Sequence, residues 1–379
     1  MRVCVVVLNS IWYDPRVRKQ IREYINNGVE TFAVGHRCSR YDSEKIKELS
    51  CPVTITELDP RYMGHQRSLI KKIQRESDRN QKLCDAIVAY RPDVIHANDL
   101  NTLEACAKAA KILKCRLIYD SHEIFVENHY VKGLQKKYAA LSEARYIKKI
   151  DLMVCVSHAA ADYFVKKYGI SKPMVVTNCA LKSEQYITDD KHEGFEILNH
   201  GQYYEGRGYD IMMEAIPLLR DYTEIRIALR GFGRMEEQLR SRANQLGDKN
   251  VSFYPPVLVQ ELIPYGAKSH VGVAITEDTC LNFRLSVSNK LFEYASAGLP
   301  VIMSNIPEHR YLNDKYHFGI VIPDNSPKSF ADAVIELYTN KELYLSCAEG
   351  AKRLTYEVNW EKEFGRLLDI ERSWVDGSK

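Results

Sequence analysis

Short β-branched, apolar runs alternate with stretches of helical period along the whole chain, and this alternation fixes the fold class. In the first half the runs lie near residues 3–8, 31–34, 53–58, 93–97, 116–120, 152–157 and 174–178. In the second half they lie near 196–200, 224–229, 251–254, 271–275, 300–304 and 320–322. Runs that are apolar throughout belong to strands buried on both faces, and a helix between successive strands is the crossover that parallel pairing needs. The expected class is therefore α/β, with helices on both faces of parallel sheets. At 379 residues the chain is too long for one ordinary core. The polar, unpatterned stretch 181–195 is the best place to divide it, giving a first domain over 1–182 and a second over 193–357. Both domains read as Rossmann-like, and ligands of such sheets sit at the C-terminal strand ends. Two such domains facing each other place a ligand in the cleft between them.

Composition narrows the chemistry. The net charge is only +3, yet the first half is basic and the second acidic, which suits a first domain facing something anionic. The basic residues lack interleaved stacking aromatics, so a nucleic-acid binder is not expected. The ten cysteines, Cys38 among them, form no Cys-x-x-Cys pair, and several, such as Cys4 and Cys155, sit in apolar strands. They read as reduced, packed thiols of a cytoplasmic protein. No apolar run approaches the ~20 residues of a membrane span. The opening MRVCVVVLNS reads as a first buried strand rather than a signal peptide.

The stretch Ser288-Asn289-Lys290-Leu291-Phe292-Glu293-Tyr294-Ala295-Ser296-Ala297-Gly298-Leu299-Pro300-Val301-Ile302 reads as a loop, a short helix, a Gly-Leu-Pro stop and a buried strand. Ser288 is placed to cap the helix with its hydroxyl, and Gly298 to supply a left-handed turn after it. Lys290 is out of place, because a cation in the first turn opposes the helix dipole by roughly 0.3–1 kcal/mol. A bound phosphate removes that conflict, and Glu293 one turn on can accept two hydroxyls, as on a ribose. The alternative is an ordinary surface helix with an i, i+3 charge pair.

Other polar clusters also sit at strand ends. Asp14 caps a helix opened by Pro15, and either it or Arg16 faces a cleft, or both are simple surface features. Asn98 and Asp99 end a strand; Asp99 faces the cleft or, as preferred, caps the next helix, while His96 reads as a core histidine. Asp120, His122 and Glu123 bunch at the end of another strand, more ionisable groups than capping needs. The run Asn199-His200-Gly201-Gln202-Tyr203-Tyr204-Glu205-Gly206-Arg207-Gly208 is a glycine-containing loop before a helix, suited to a diphosphate with Arg207 as its cation. Gly231 and Gly233 mark a second strand-end turn. No Asp-x-Asp occurs, so no metal site is expected.

The run SNKLFEYASAGLPVI resembles the signature of retaining, nucleotide-sugar-dependent glycosyltransferases of family 4, in its NKLFEY/AGLPVI subgroup. The resemblance extends from residue 1 to about 375, and DPRVR at 14–18 is similar to a subgroup of family 4, many members of which have a glycine-rich loop here instead. It implies the GT-B fold, two Rossmann-like domains facing across a cleft, with the final helix (358–379) crossing back to the first. It implies that Glu293 holds the donor ribose and that the loop Ser286, Val287, Ser288 and Asn289 meets the diphosphate and sugar with backbone N–H groups, helped by Asn282 or Arg284. Gly201, Gln202, Arg207 and Gly231 would line the donor site, and backbone near Tyr254 would read the base. His122 would lie beside the donor sugar, near the anomeric centre and the 6-hydroxyl. Catalytic roles fall to His122, Arg207 and Lys290, and acceptor-side positions to Asp14, Arg16, Asp99 and Asp120. Two departures stand out: the family often has a Glu where this chain has Leu285, and a basic residue where it has Gln202.

What the resemblance implies is a metal-independent transferase that moves a hexose-type sugar from a nucleoside diphosphate, UDP favoured over GDP, to an acceptor hydroxyl. No cofactor is expected beyond the donor. The setting would be cell-surface glycan or glycolipid synthesis, with a glycan or lipid-linked acceptor. The basic stretches 61–82, which includes Arg67, and 132–149, with Leu134, Tyr138, Leu141 and Ile147 among its cations, suit an anionic membrane at the inner face of the plasma membrane. The alternatives are a non-catalytic GT-B partner, for which Leu285 and Gln202 speak, and a sugar-nucleotide epimerase of the same fold.

Overall fold

The computed structural model describes residues 1–37, 43–62, 69–246 and 250–376. The chain forms two compact units, Met1–Thr177 with Glu363–Lys379, and Asn178–Lys362. Cys38 and Arg67 lie outside the described residues, and the nine described cysteines are free thiols.

The first unit holds a seven-stranded parallel sheet: β1 (Arg2–Val6), β2 (Glu30–His36), β3 (Val53–Thr56), β4 (Val94–Asn98), β5 (Arg116–Ser121), β6 (Leu152–Cys155) and β7 (Met174–Val175). Its order is β3-β2-β1-β4-β5-β6-β7. The second unit holds β8 (Phe195–Gln202), β9 (Ile225–Phe232), β10 (Val251–Tyr254), β11 (Val271–Ala274), β12 (Val301–Met303) and β13 (Gly319–Val321), ordered β10-β9-β8-β11-β12-β13. Every apolar run read from the sequence is a strand. Both sheets are parallel because each consecutive pair is joined by a helical crossover. The strand order reverses between β1 and β4 in one sheet and between β8 and β11 in the other. At such a reversal the two adjoining crossovers leave on opposite faces, which opens a crevice at the strand ends.

The core follows from burial of the strands on both faces. Val3, Val6, Val94, Ile95 and Ile118 are fully buried in the first sheet, and Ile197, Leu229, Val271 and Ile302 in the second. The last helix, Trp360–Asp376, belongs to the first unit from Glu363 onward, as the resemblance implied. Phe364 meets Tyr24 edge-on at 4.9 Å, Arg366 donates to the Val175 carbonyl (2.8 Å), and Glu363 accepts from the Thr177 N–H (3.1 Å). Among the described residues no helix is long and apolar enough to cross a membrane.

Candidate active site

In the first unit, polar groups gather at the ends of β1, β4 and β5. Asp14 caps the helix Pro15–Asn26, accepting from the N–H groups of Arg16 (3.0 Å) and Val17 (3.1 Å). Arg16 then enters the helix on its buried face. Its Nε and Nη2 donate to the two Asp120 oxygens at 2.9 Å each, and its Nη1 to the Val176 carbonyl at 2.9 Å. Their side chains are only 3% and 0% exposed, so Arg16 and Asp120 are a buried ion pair and not the open acceptor-side residues expected. The reason is local. Arg16 shares its helix face with Val17, Ile21 and Tyr24, and a guanidinium taken there needs a carboxylate. Gln20 also donates to Asp120 (2.6 Å), and His96 lies 3.3 Å from it. Burial pushes the Asp120 carboxyl up, but Arg16, with His96 and His122, outweighs it and holds the group well below the usual carboxylate range.

His122 stands just beyond β5, near the surface of this network. Asn98 donates its amide to the Val6 carbonyl (3.2 Å), which turns its oxygen to His122 Nε2 at 2.9 Å, so that Nε2–H is the donor. Three carboxylates surround the ring: Asp99 at 3.6 Å and Asp14 at 4.0 Å from Nδ1, and Asp120 at 3.8 Å from Nε2. Asp99 does not cap its helix with its side chain; it accepts from the His122 N–H instead (3.3 Å). Its φ of 63° with ψ of 160° is a costly backbone state for a residue other than glycine, held here beside the imidazole. Burial pushes the Asp99 carboxyl up to about 6, against the opposing pull of His122. Glu123, read as part of the same cluster, is engaged by Asn128 (2.7 Å) and Tyr130 (2.8 Å). His96 is a core histidine, as read.

In the second unit the site is built where β8 and β9 end. Gly201 and Gly231 are paired across the two strands, and a Cβ on Gly231 (φ +153°) would lie 1.8 Å from the Gly201 oxygen. Only glycine at 231 permits that approach. Lys290 reaches over Gly201, its Cε 3.4 Å from where a Cβ would be, and donates to Asn199 Oδ1 at 2.6 Å. Burial, and then Arg207, bring the Lys290 ammonium down to about 7, with Glu293 opposing. Two cations are thus drawn together without a full counter-charge, which a nearby diphosphate would supply. Arg207 stacks on Tyr204 (5.3 Å) and Phe283 (4.6 Å).

Glu293 is oriented by a residue the sequence reading passed over. His200 Nε2 donates to Glu293 Oε2 at 2.6 Å, while the His200 N–H is held by the Tyr294 hydroxyl at 2.9 Å. Tyr294 fits only because residue 272 is glycine; a Cβ there would lie 2.2 Å from its ring. The one available signal was the position of His200, one residue before the strand-end glycine.

The helix Asn289–Ser296 differs from expectation at its start. Ser288 holds the cap position of the helix Asn289–Ser296, but its side chain makes no cap bond. The Ser286 N–H is taken by the Asn282 carbonyl (3.0 Å), whereas those of Val287, Ser288 and Asn289 make no backbone hydrogen bond among the described residues. Arg284 is exposed and paired with Asp278. Tyr254 donates to Glu196 (2.9 Å) and lies under the Arg230 guanidinium (4.7 Å), and Gln202 is exposed. Gly298 adopts the expected left-handed turn at φ +71°.

Comparison with known proteins agrees with both units. Residues 16–184 match the family model Glycosyltransferase Family 4, and residues 194–340 match Glycosyl transferases group 1. An uncharacterized glycosyltransferase of Methanocaldococcus jannaschii is 22% identical over 264 residues, 66% of this chain and 66% of its own, just under two thirds of that relative's length. Among solved structures, Anabaena HepE in complex with UDP is similar with a TM-score of 0.79 at 14% identity, covering 98% of this chain and 100% of that one. Sucrose-phosphate synthase from Thermosynechococcus elongatus gives 0.78 at 12% identity, with 100% of both chains covered. With two Rossmann-like units in the GT-B fold, one matched by each glycosyltransferase model, the chain belongs to the glycosyltransferases of GT-B type.

Proposed function

We propose that the protein is a retaining, metal-independent transferase that moves a hexose-type sugar from a UDP-sugar to an acceptor hydroxyl. The observation that carries this reading is the grouping of Lys290, Arg207, Gly201 and the His200-held Glu293 by the ends of β8 and β9. Glu293 would accept the two ribose hydroxyls. Lys290, Arg207 and the N–H groups of Val287, Ser288 and Asn289 would hold the diphosphate and stabilise its charge as it leaves. UDP is favoured over GDP because HepE, of the same fold, was solved with UDP. In the transfer, the bond from the anomeric carbon to the phosphate oxygen breaks. A bond to the acceptor oxygen forms on the same face, and the acceptor proton passes to the departing phosphate oxygen. His122 would orient the sugar and stabilise positive charge at the anomeric carbon.

Calorimetric titration of UDP and GDP tests the donor site. A hydrogen bond to a charged group contributes roughly 1.5–3 kcal/mol, so Glu293→Ala and Arg207→Ala should each weaken UDP binding about tenfold to a hundredfold. Binding unchanged in both variants would remove the site assignment. A wild type that binds neither nucleotide would remove the transferase reading and favour a non-catalytic partner. An epimerase would show itself by turning over the sugar nucleotide without an acceptor.

The acceptor side is proposed to meet an anionic membrane carrying a lipid-linked acceptor. On the helix Gly133–Tyr146, Leu134, Tyr138 and Leu141 are 76%, 56% and 72% exposed at helical spacing, with Lys137 and Arg145 exposed beside them. Ile147, expected in this face, is buried instead. In the other basic stretch Arg61, Arg79 and Lys82 are engaged by Asp59, Glu76 and Asp78, whereas Lys71 and Lys72 are exposed beside Ile70 and Ile73, 68% and 57% exposed, so the helix Leu69–Tyr90 is proposed to share the contact. Co-sedimentation should be stronger with anionic than with neutral vesicles and should fall with salt; Leu134→Glu with Leu141→Glu should weaken it. Equal recovery with both vesicle types would count against the contact.

A further inference from the structure

A line of buried polar groups, hydrogen-bonded as far as Asp120, runs from the last helix toward His122. The Tyr24 hydroxyl lies 2.5 Å from Glu371 Oε1 and 2.9 Å from His96 Nδ1. His96 Nε2 is 3.3 Å from Asp120 Oδ2, and that same oxygen is 3.8 Å from His122 Nε2. Glu371, Tyr24, His96 and Asp120 are all fully buried. The donor-site reading and the fold itself make no use of this line.

We propose that Glu371 is a positioning residue whose protonation selects the tautomer of His96 and, through Asp120, sets the placement of His122. The Tyr24 hydroxyl has one hydrogen and two acceptors in reach. With Glu371 protonated, the carboxyl donates to Tyr24, Tyr24 donates to His96 Nδ1, and His96 Nε2–H donates to Asp120. When Glu371 gives its proton to solvent, its carboxylate draws the Tyr24 hydrogen. His96 must then carry its own proton on Nδ1, where it donates to the tyrosine oxygen. Asp120 thereby loses a donor and keeps only Arg16 and Gln20. Its Oδ2 is left to compete with Asn98 for His122 Nε2–H and to draw the ring from its place.

The surroundings support the switch. Glu371 Oε2 has no hydrogen-bond partner, and Glu371 forms no ion pair among the described residues; Tyr24 is what the helix Pro15–Asn26 presents to it. Burial pushes its carboxyl up to about 8, with Tyr24 opposing. Burial also lowers His96, against Asp120, so the ring is neutral and tautomerism is its remaining freedom. Around His122 the other titratable groups are Asp14 and Asp99, and around Asp120 they are Arg16 and the neutral His96.

The effect on turnover rests on the transferase reading, but the tautomer switch does not, so the test has two arms on the full-length protein. Imidazole nitrogen NMR from about pH 6 to about pH 10 should show His96 passing from Nε2–H to Nδ1–H near the Glu371 transition. In Glu371→Gln, whose amide permanently donates to Tyr24, and in Tyr24→Phe, which cuts the line, no such passage should occur. Over the same interval kcat of the wild type should fall roughly threefold to tenfold, the equivalent of one hydrogen bond, with KM for the donor unchanged. The Glu371→Gln profile should stay flat. A single His96 tautomer throughout in the wild type, or a Glu371→Gln protein that follows the wild type, overturns the proposal. Absence of transfer at every pH overturns the transferase reading instead and leaves the NMR arm to decide.

Discussion

Replacing Arg16 by alanine should lower the unfolding free energy by about 3–5 kcal/mol, because it leaves Asp120 charged and buried without its cation, beside Gln20, His96 and His122. The loss is large because three hydrogen bonds go at once: those from Arg16 to each Asp120 oxygen and to the Val176 carbonyl. The pH dependence should change sign as well. In the wild type the Asp120 carboxyl is held well below its ordinary 3.8, so the pair stabilises the protein above that value, and this contribution is lost as pH falls below it. In Arg16→Ala, desolvation dominates and raises the carboxyl, so the variant should gain stability as pH falls and the group becomes neutral. Urea unfolding of both proteins at neutral pH and near pH 4 reads this directly. A difference under about 1 kcal/mol at neutral pH, the worth of an exposed pair, would mean that the site is wetter than the structure shows.

Arg16 also shows where sequence reasoning reaches its limit. The strands were legible because period and β-branching are local properties, and parallel pairing follows from the helices between them. The partners of buried charges are not local. Asp120 lies 104 residues from Arg16, and Glu371 lies 347 from Tyr24. A sharper reading of the helix 15–26 would have helped. Arg16 and Gln20 fall on the same stripe as Val17, Ile21 and Tyr24, and a cation on an apolar stripe implies a buried counter-charge. At the proposed donor site, Lys290 and Glu293 stand out by a conflict with the helix dipole and by resemblance, but their partners do not. Asn199 and His200 sit on β8, some ninety residues earlier, and only the sheet brings them under the helix Asn289–Ser296. Asp99 was misread as a cap because cap preference is a statement about residue type. The side chain is turned instead by the positive φ of its own backbone toward His122.

His122→Ala should lower kcat by about a hundredfold to a thousandfold, the usual cost of deleting one preorganised electrostatic contact to a transition state. The ring is fixed from every side. Asn98 holds Nε2–H, Asp99 holds the backbone N–H, and Asp14 and Asp120 flank it within 4.0 Å, yet its side chain remains 16% exposed. A histidine serving only to fill space would not need three carboxylates and a strained Asp99 around it. UDP affinity should be unchanged, since Lys290, Arg207 and Glu293 all belong to the other unit, so the loss should appear in kcat rather than in binding. Asn98→Ala should show a smaller fall in kcat, because it frees the ring without removing it. The decisive measurement is turnover with a saturating UDP-sugar alongside a UDP titration of the same preparation. Near-normal turnover in His122→Ala would remove the histidine from the reaction. An equal loss of UDP affinity would show instead that the substitution had disturbed more than the sugar side of the site.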